Sequence, residues 1–86
     1  MPWELVLTPT FRRGYKNLSS EIQRRVDEAL EELIESEDPR TLGARKIGRW
    51  KGVYTYEIGR RYRIFYRVVF GQRTIEILHV GGHELY

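Results

Sequence analysis

The stretch that decides the fold is WKGVYTYEIGRRYRIFYRVV, residues 50–69. Apolar and aromatic residues alternate with other residues on both sides of a Gly-Arg-Arg tripeptide, a pattern typical of two strands joined by a short turn. If the turn closes a hairpin there, Glu57 lies opposite Arg63 and Thr55 lies opposite Phe65, and all four side chains share one uncovered face of the sheet. The other face, on the side of the helices, then holds Tyr54, Tyr56, Ile58, Tyr62, Ile64 and Tyr66.

Strand character is also found outside this hairpin. We predict strands over Trp3–Leu7, Val53–Ile58, Tyr62–Phe70 and Thr74–Val80, because these segments are rich in aromatic and β-branched residues. Gly71-Gln72-Arg73 can turn the chain between the last two. The last three strands are therefore expected to form an antiparallel meander.

The first of two predicted helices begins at Thr8-Pro9. Threonine can cap the free N–H groups of a helix, and proline is tolerated at the first helical position. Gly14 lowers the helix propensity of this segment, so we expect a short helix that depends on its neighbours.

The second helix is the stronger prediction. Ser20 and Gln23 fit a capping box at its start, and Asp38-Pro39 ends it. Apolar residues recur between these limits at intervals of three and four, forming one stripe: Ile22, Val26, Ala29, Leu30, Leu33 and Ile34.

The elements follow one another in the order β-α-α-β-β-β. We therefore predict an α+β fold in which the N-terminal strand and two helices pack on one face of a mainly antiparallel four-stranded sheet. A chain of 86 residues has enough apolar side chains for one core, so a single domain over residues 1–86 is expected.

The composition excludes several classes of protein. The sequence has no cysteine, which excludes disulfides and thiolate chemistry. His79 and His83 occur without an HExxH motif or paired carboxylates, so we expect no metal site and no cofactor. No apolar run approaches the roughly 20 residues of a membrane span. A cytoplasmic location without membrane contact is the expectation.

Positive charge is concentrated in the second half of the chain. Residues 1–39 contain 5 Lys/Arg and 9 Asp/Glu, whereas residues 40–86 contain 10 and 3. The basic loop between the second helix and the hairpin is predicted to bind RNA phosphates, with one tryptophan available to stack on a base: Arg45, Lys46, Arg49, Lys51 and Trp50. Two simpler interpretations stay open, a solvated basic surface and a tryptophan that anchors the loop to the core.

The hairpin segment resembles the RelE/ParE toxin superfamily. It is similar to that family's "kG-x-y-x-x-r-x-G-x-y-R-i-x-Y" stretch, and the ending ILHVGGHELY is similar to the closing "i-x-x-v-G-H-R-x-x-v-Y". PTFRRGYKNLSSEIQRRVDEALEELIE resembles the family's helical hairpin, so the resemblance covers nearly the whole chain. It implies a RelE-like fold, whereas the activities in the family differ: ribosome-dependent mRNA endonucleases, gyrase poisons of the ParE type, and members of uncertain action.

For the nuclease members, the resemblance implies a reaction in which the ribose 2′-OH attacks the adjacent phosphate. That reaction needs a base, cationic donors for the phosphate oxygens and an acid for the leaving 5′-oxygen, and it needs no metal. The expected function is therefore a toxin that cleaves mRNA on the ribosome and inhibits translation. The implied partners are the ribosome, mRNA and a cognate antitoxin, in a toxin–antitoxin hetero-oligomer.

The resemblance assigns roles to three residues, and the acid–base requirement of the reaction adds a fourth. Arg63 matches the family's catalytic arginine, and a planar guanidinium suits a pentacoordinate phosphate; a plain salt bridge with Glu57 is the alternative, and both can hold. The best-studied nucleases carry lysines at the positions of Thr55 and Glu57, which makes a lysine-rich mechanism doubtful here. Glu57 is instead a candidate base.

The tail supplies the other two candidates. His83 lies near the family's functional arginine or histidine, and since an imidazole ordinarily titrates at about pH 6.5, it is a candidate acid for the leaving oxygen. Tyr86 corresponds to a tail tyrosine that stacks on a base or assists proton transfer. His79, within the last predicted strand, is expected to be a packed or edge residue rather than a catalyst.

Two other functions remain open. One is a non-enzymatic DNA gyrase inhibitor of the ParE type, which the missing lysine pair favours and His83 and Tyr86 disfavour. The other is a degenerate RNA-binding relative without catalysis.

Overall fold

The part of the chain that the structure describes contains two helices and five strands, with a 3-10 turn after the second helix and another between the last two strands. The computed structural model describes residues 2–45 and 51–82. In chain order the elements are β1 (Glu4–Leu7), α1 (Pro9–Lys16), α2 (Ser20–Glu35), a 3-10 turn (Pro39–Leu42), β2 (Ala44–Arg45), β3 (Tyr54–Ile58), β4 (Tyr62–Val69), a 3-10 turn (Phe70–Gln72) and β5 (Thr74–Gly81).

The strands form one mixed sheet in the order β1-β5-β4-β3-β2. β1 runs parallel to β5, and the other three pairs are antiparallel. The predicted α+β class and the mainly antiparallel arrangement are confirmed. The predicted number of four strands is wrong. Ala44 and Arg45 were predicted to lie in a loop, but they form a fifth strand that pairs with β3. Two residues are too few for an alternating pattern to indicate a strand.

The hairpin has the predicted register. Glu57 pairs with Arg63 and Thr55 with Phe65, and the turn between the strands includes Gly59. Gly59 has a φ of 64°, a backbone conformation that glycine adopts without steric cost. The turn therefore fixes which side chains face each other across the two strands.

Helix α1 is tied to β5 at both ends. The Thr8 hydroxyl caps the helix by accepting a hydrogen bond from the N–H of Phe11 at 3.2 Å, and it donates one to the carbonyl of Ile77 at 2.8 Å. Towards the other end, a Cβ at Gly14 would lie 2.5 Å from the carbonyl oxygen of Val80. Gly14 thus lowers helix propensity but permits the close approach of α1 to the sheet.

Helix α2 begins one residue earlier than predicted. Its cap is Ser19, whose hydroxyl accepts from the N–H of Ile22 at 3.3 Å, whereas Ser20 is already helical. The predicted capping box is therefore wrong: either of two adjacent serines can cap a helix, and the one used, Ser19, is followed three residues later by Ile22 rather than by Glu or Gln. The Gln23 side chain instead donates to the carbonyl of Tyr15 at 2.8 Å and joins the two helices.

The main core lies between the helices and the sheet face beneath them. Tyr66 is fully buried there, and its hydroxyl donates a hydrogen bond of 2.7 Å to the carbonyl of Pro39. Burial also raises the pKa of Tyr66. The core side chains are Trp3, Phe11, Val26, Ala29, Leu30, Leu33, Ile58, Ile64, Tyr66, Ile75, Ile77 and Val80.

Within residues 2–45 and 51–82, neither helix combines the length and the apolar character required to span a lipid bilayer.

Candidate functional site on the outer face of the sheet

The sheet face opposite the helices, here called the outer face, carries most of the polar side chains of the long strands. Strand alternation separates these side chains from the core residues between them. The outer face comprises Thr55 and Glu57 on β3, Arg63, Phe65 and Arg67 on β4, and Glu76 and His79 on β5.

Arg63 and Glu57 form a cross-strand ion pair on this face. The Nη2 atom of Arg63 lies 3.3 Å from Oε1 of Glu57, and the two side chains are 29% and 64% exposed. An ion pair this exposed contributes only about 0–1 kcal/mol to stability. The predicted juxtaposition is thus present, with both groups accessible to a ligand.

The outer face is covered at its middle, contrary to the expectation of an open face. Phe65 is 1% exposed, Thr55 is 7% and Val53 is 2%. Val53 and Phe65 are not part of the core cluster under the helices. Arg63 and Glu57 therefore lie at the accessible end of a face whose centre is apolar and buried.

A bulge in β5 places His79 on the outer face. Phe65 pairs with His79 while Tyr66 pairs with Ile77, so Leu78 is an extra residue on β5. The imidazole of His79 contacts the ring of Phe65 edge-on, with centroids 6.0 Å apart. This contact confirms the expectation that His79 is a packed residue; His79 is partly buried, and it lies on the same face as Arg63.

The spacing of apolar residues in the sequence indicates this bulge. Ile75, Ile77 and Val80 are all core residues. In an unbroken strand, residues 77 and 80 would point to opposite faces. Three apolar core positions with an odd spacing therefore indicate an extra residue between them.

A second ion pair lies farther along β4. Arg67 is opposite Glu76 in the sheet, and its Nη1 atom lies 3.5 Å from Oε1 of that carboxylate.

Among the side chains of residues 2–45 and 51–82, no three histidine or acidic groups are arranged so that they could hold a metal ion.

The structure describes two of the five predicted RNA-binding residues. Arg45 and Lys51 are exposed. Arg45 pairs with Tyr54, a residue packed against the core. Because paired residues share a face of the sheet, Arg45 lies on the helix side and not on the face that carries Arg63. Five predicted site residues lie outside the described residues: Lys46, Arg49, Trp50, His83 and Tyr86.

A groove of about 420 Å³ runs between α2 and β3, beside the candidate site. Its lining includes Arg25, Glu32, Tyr56 and Glu57. The Tyr56 hydroxyl donates a 2.6 Å hydrogen bond to Glu32. Burial, together with this bond, raises the pKa of Tyr56 to about 12. The groove is therefore polar, with Glu57 at the edge that it shares with the outer face.

Solved toxin structures share this fold. In the RelBE2 toxin–antitoxin complex from Mycobacterium tuberculosis, one chain is 27% identical and superposes with a TM-score of 0.84, covering 96% of this chain and 100% of that one. The isolated Escherichia coli RelE toxin is 18% identical, with a TM-score of 0.76 and coverage of 93% and 83%. A chain of the YoeB-YefM complex from Staphylococcus aureus is 17% identical, with a TM-score of 0.76 and coverage of 96% and 99%.

Comparison with curated protein sequences gives no significant match. The family model described as the ParE toxin of the type II toxin–antitoxin system parDE matches residues 5–84. That match spans both helices and, apart from Glu4 at the start of β1, the five described strands. The chain therefore belongs to the ParE toxin family, within the RelE/ParE toxin superfamily of type II toxin–antitoxin systems.

Proposed function

We propose that this toxin is a metal-independent endoribonuclease that cleaves mRNA on the ribosome and so inhibits translation. The observation that carries the proposal is the Arg63–Glu57 pair on the outer face, with 3.3 Å between guanidinium and carboxylate. It supplies a phosphate-binding cation and a proton acceptor side by side, which are two of the three groups that the reaction requires.

In the proposed step, the 2′-oxygen of a ribose attacks the adjacent phosphorus and the bond from phosphorus to the 5′-oxygen breaks. Glu57 takes the proton from the 2′-OH, and a proton donor protonates the leaving 5′-oxygen. Arg63 binds the nonbridging oxygens, whose charge grows in the transition state. When the phosphate engages Arg63, it competes with the carboxylate for the guanidinium, and Glu57 is released to act as the base.

The basic loop and the tail extend this proposal. Lys51 and Arg45 are exposed, and with Lys46 and Arg49 they bind phosphates of mRNA or ribosomal RNA, while Trp50 stacks on a base. His83 and Tyr86 stay predictions as the acid and the stacking residue of the tail.

A cognate antitoxin is the proposed protein partner. The M. tuberculosis RelBE2 and S. aureus YoeB-YefM relatives are toxin–antitoxin complexes. By analogy, this toxin binds an antitoxin in a hetero-oligomer in the cytoplasm, and the antitoxin covers the basic surface until it is removed.

Expression of the Arg63→Ala variant without antitoxin tests the nuclease. We expect growth arrest and mRNA cleavage to be lost, with ends mapped by primer extension shortly after induction. Arg67→Ala is the matched control, because Arg67 lies on the same strand and face and also forms a cross-strand ion pair. Codon-phased cuts that persist in Arg63→Ala would remove Arg63 from the mechanism.

Inhibition of DNA gyrase without catalysis is the second candidate. The outer face of β3 presents Thr55 and Glu57 in place of cations, and Thr55 is only 7% exposed, so this strand offers little positive charge to an RNA phosphate. A gyrase inhibitor would induce the SOS response and leave mRNA intact. A toxin domain that only binds RNA would produce neither effect and no growth defect.

A further inference from the structure

The β5 bulge determines which side of the sheet His79 occupies. Ile77 and Val80 both point into the core, and the extra residue Leu78 is what makes this possible. Without it, either His79 would enter the core or Val80 would leave it. Bulges are frequent next to active sites, where they redirect a side chain.

His79 lies diagonally across from Arg63. Arg63 pairs with Gly81, and Phe65 pairs with His79, so the two polar side chains occupy neighbouring rows of adjacent strands. Side chains at such diagonal positions are about 7–8 Å apart, a separation at which both can contact one phosphodiester group. Gly81, directly opposite Arg63, adds no side chain between them.

Phe65 restricts the orientation of the His79 imidazole. The two rings meet edge-on at 70°, and Phe65 itself is 1% exposed. Because a buried ring has little freedom to move, the imidazole packed against it is held at a defined position on the outer face.

Glu57 and His79 lie on opposite sides of Arg63. Glu57 is on β3, Arg63 on β4 and His79 on β5, in three consecutive strands of the sheet. A phosphate bound by Arg63 would thus have a carboxylate on one side and an imidazole on the other. An in-line displacement needs its base and its acid in that arrangement, because the attacking and leaving oxygens are on opposite sides of the phosphorus.

We propose that His79 is the general acid of the outer-face site and protonates the leaving 5′-oxygen of RNA. This inference rests on the proposed ribonuclease function and assigns the role of proton donor to His79 in place of His83. As the 2′-oxygen bonds to phosphorus, its proton passes to Glu57, the bond to the 5′-oxygen breaks, and that oxygen takes the proton of the His79 imidazolium. The products are a 2′,3′-cyclic phosphate and a free 5′-hydroxyl.

Both signs of charge surround the imidazole. On the outer face, Arg63 and Arg67 on β4 flank the row of His79, with Glu57 on β3 beyond Arg63. Glu76 lies on β5 itself and is paired with Arg67. Register also places Glu4 of β1 on this face, opposite Thr74. The effect of His79 on the pH dependence must therefore be separated by substitution from the effects of Glu57 and of these neighbours.

The pH dependence of single-turnover cleavage tests the assignment, with purified toxin and ribosomes programmed with a defined mRNA. A general acid works only when protonated, so wild-type cleavage should slow at higher pH. We expect His79→Gln to reduce the rate about 10²–10⁴-fold and to remove this alkaline decline. His83→Gln separates the two candidate acids, because it should retain the decline if His79 is the acid and remove it if the tail histidine is.

A modified substrate separates loss of the acid from loss of the fold. A 5′-bridging sulfur at the cut site leaves as a thiolate, which needs no proton because thiols ionise at a pKa of about 8.5. This substrate should restore cleavage by His79→Gln to nearly the wild-type rate and should not rescue Arg63→Ala. Rescue would also demonstrate that the His79→Gln protein is folded.

Each outcome has a defined meaning. If wild-type toxin cuts no RNA on the ribosome, the proposed function fails, and this inference fails with it. If wild-type toxin cuts RNA but His79→Gln keeps the alkaline decline, or is not rescued by the sulfur substrate, the ribonuclease stands and His79 is not its acid. Loss of the decline in His83→Gln alone would assign the acid to the tail histidine.

Discussion

Arg63 and Glu57 face each other across β3 and β4 with 3.3 Å between Nη2 and Oε1, and both remain reachable from solvent. The pair contributes little to stability, so a substitution in it can change the rate of RNA cleavage without unfolding the protein. We expect Glu57→Gln to change the free energy of unfolding by about 0–1 kcal/mol. RNA cleavage should fall about 10²–10⁴-fold because the amide cannot accept the 2′-OH proton.

Glu76→Gln is the matched control for that substitution. It weakens a similar cross-strand ion pair with Arg67 on the same face. Cleavage kinetics and chemical denaturation of the two variants should give equal stabilities and unequal rates. Equal rates would mean that Glu57 is only a structural partner of Arg63.

For Gly14→Ala we expect a change in stability opposite to the one that helix propensity alone predicts. Alanine is the better helix former by about 1 kcal/mol, so Gly14→Ala would stabilise an isolated helix. In this fold the added Cβ would lie 2.5 Å from the Val80 carbonyl oxygen, and α1 must shift away from β5. We expect a loss of about 1–3 kcal/mol, measured by urea denaturation.

Gly71→Ala serves as the comparison, because a Cβ at Gly71 would have no atom within 4 Å. Its stability should be unchanged or slightly higher, since alanine restricts the unfolded chain. A stable Gly14→Ala protein would show that α1 can move away from the sheet at little cost.

Tyr66 joins the sheet to the turn that follows α2. Its hydroxyl donates to the carbonyl of Pro39 at 2.7 Å in a buried environment. Tyr66→Phe leaves that carbonyl without its donor, and we expect a loss of about 1–3 kcal/mol by thermal or chemical denaturation. Tyr15→Phe, which removes an exposed hydrogen bond to Asp27, should cost clearly less. Similar losses in both variants would mean that burial adds nothing to the Tyr66 bond.

The sequence predicted those features whose periodicity is uninterrupted. The hairpin register, with Glu57 opposite Arg63, followed from alternation around one turn, and the stripe of α2 followed from its three- and four-residue spacing. Both patterns extend over several residues, so one exception does not hide them.

The features that sequence reasoning missed are local or depend on distant contacts. β2 is two residues long, and the choice of Ser19 over Ser20 as the cap is a shift of a single residue. The outward position of His79 depends on one extra residue in β5. The burial of Phe65 at 1% exposure cannot be inferred from its own strand, because alternation assigns a face and not what covers it.

Ionisation of Tyr56 makes the free energy of unfolding depend on pH in the alkaline range. Its folded-state pKa is about 12, raised by burial and then by the hydrogen bond to Glu32. An ordinary tyrosine ionises at about pH 10, so between these values the unfolded chain loses a proton that the folded chain keeps. The native state then binds more protons, and its free energy of unfolding falls as pH rises. The stabilisation is complete below pH 10 and is lost progressively up to about pH 12.

Tyr56→Phe should therefore show a smaller decrease in stability between pH 9 and pH 11 than the wild type, measured by urea denaturation at matched ionic strength. An identical decrease in the two proteins would mean that the alkaline loss comes from other groups, among which Tyr66 also has a raised pKa.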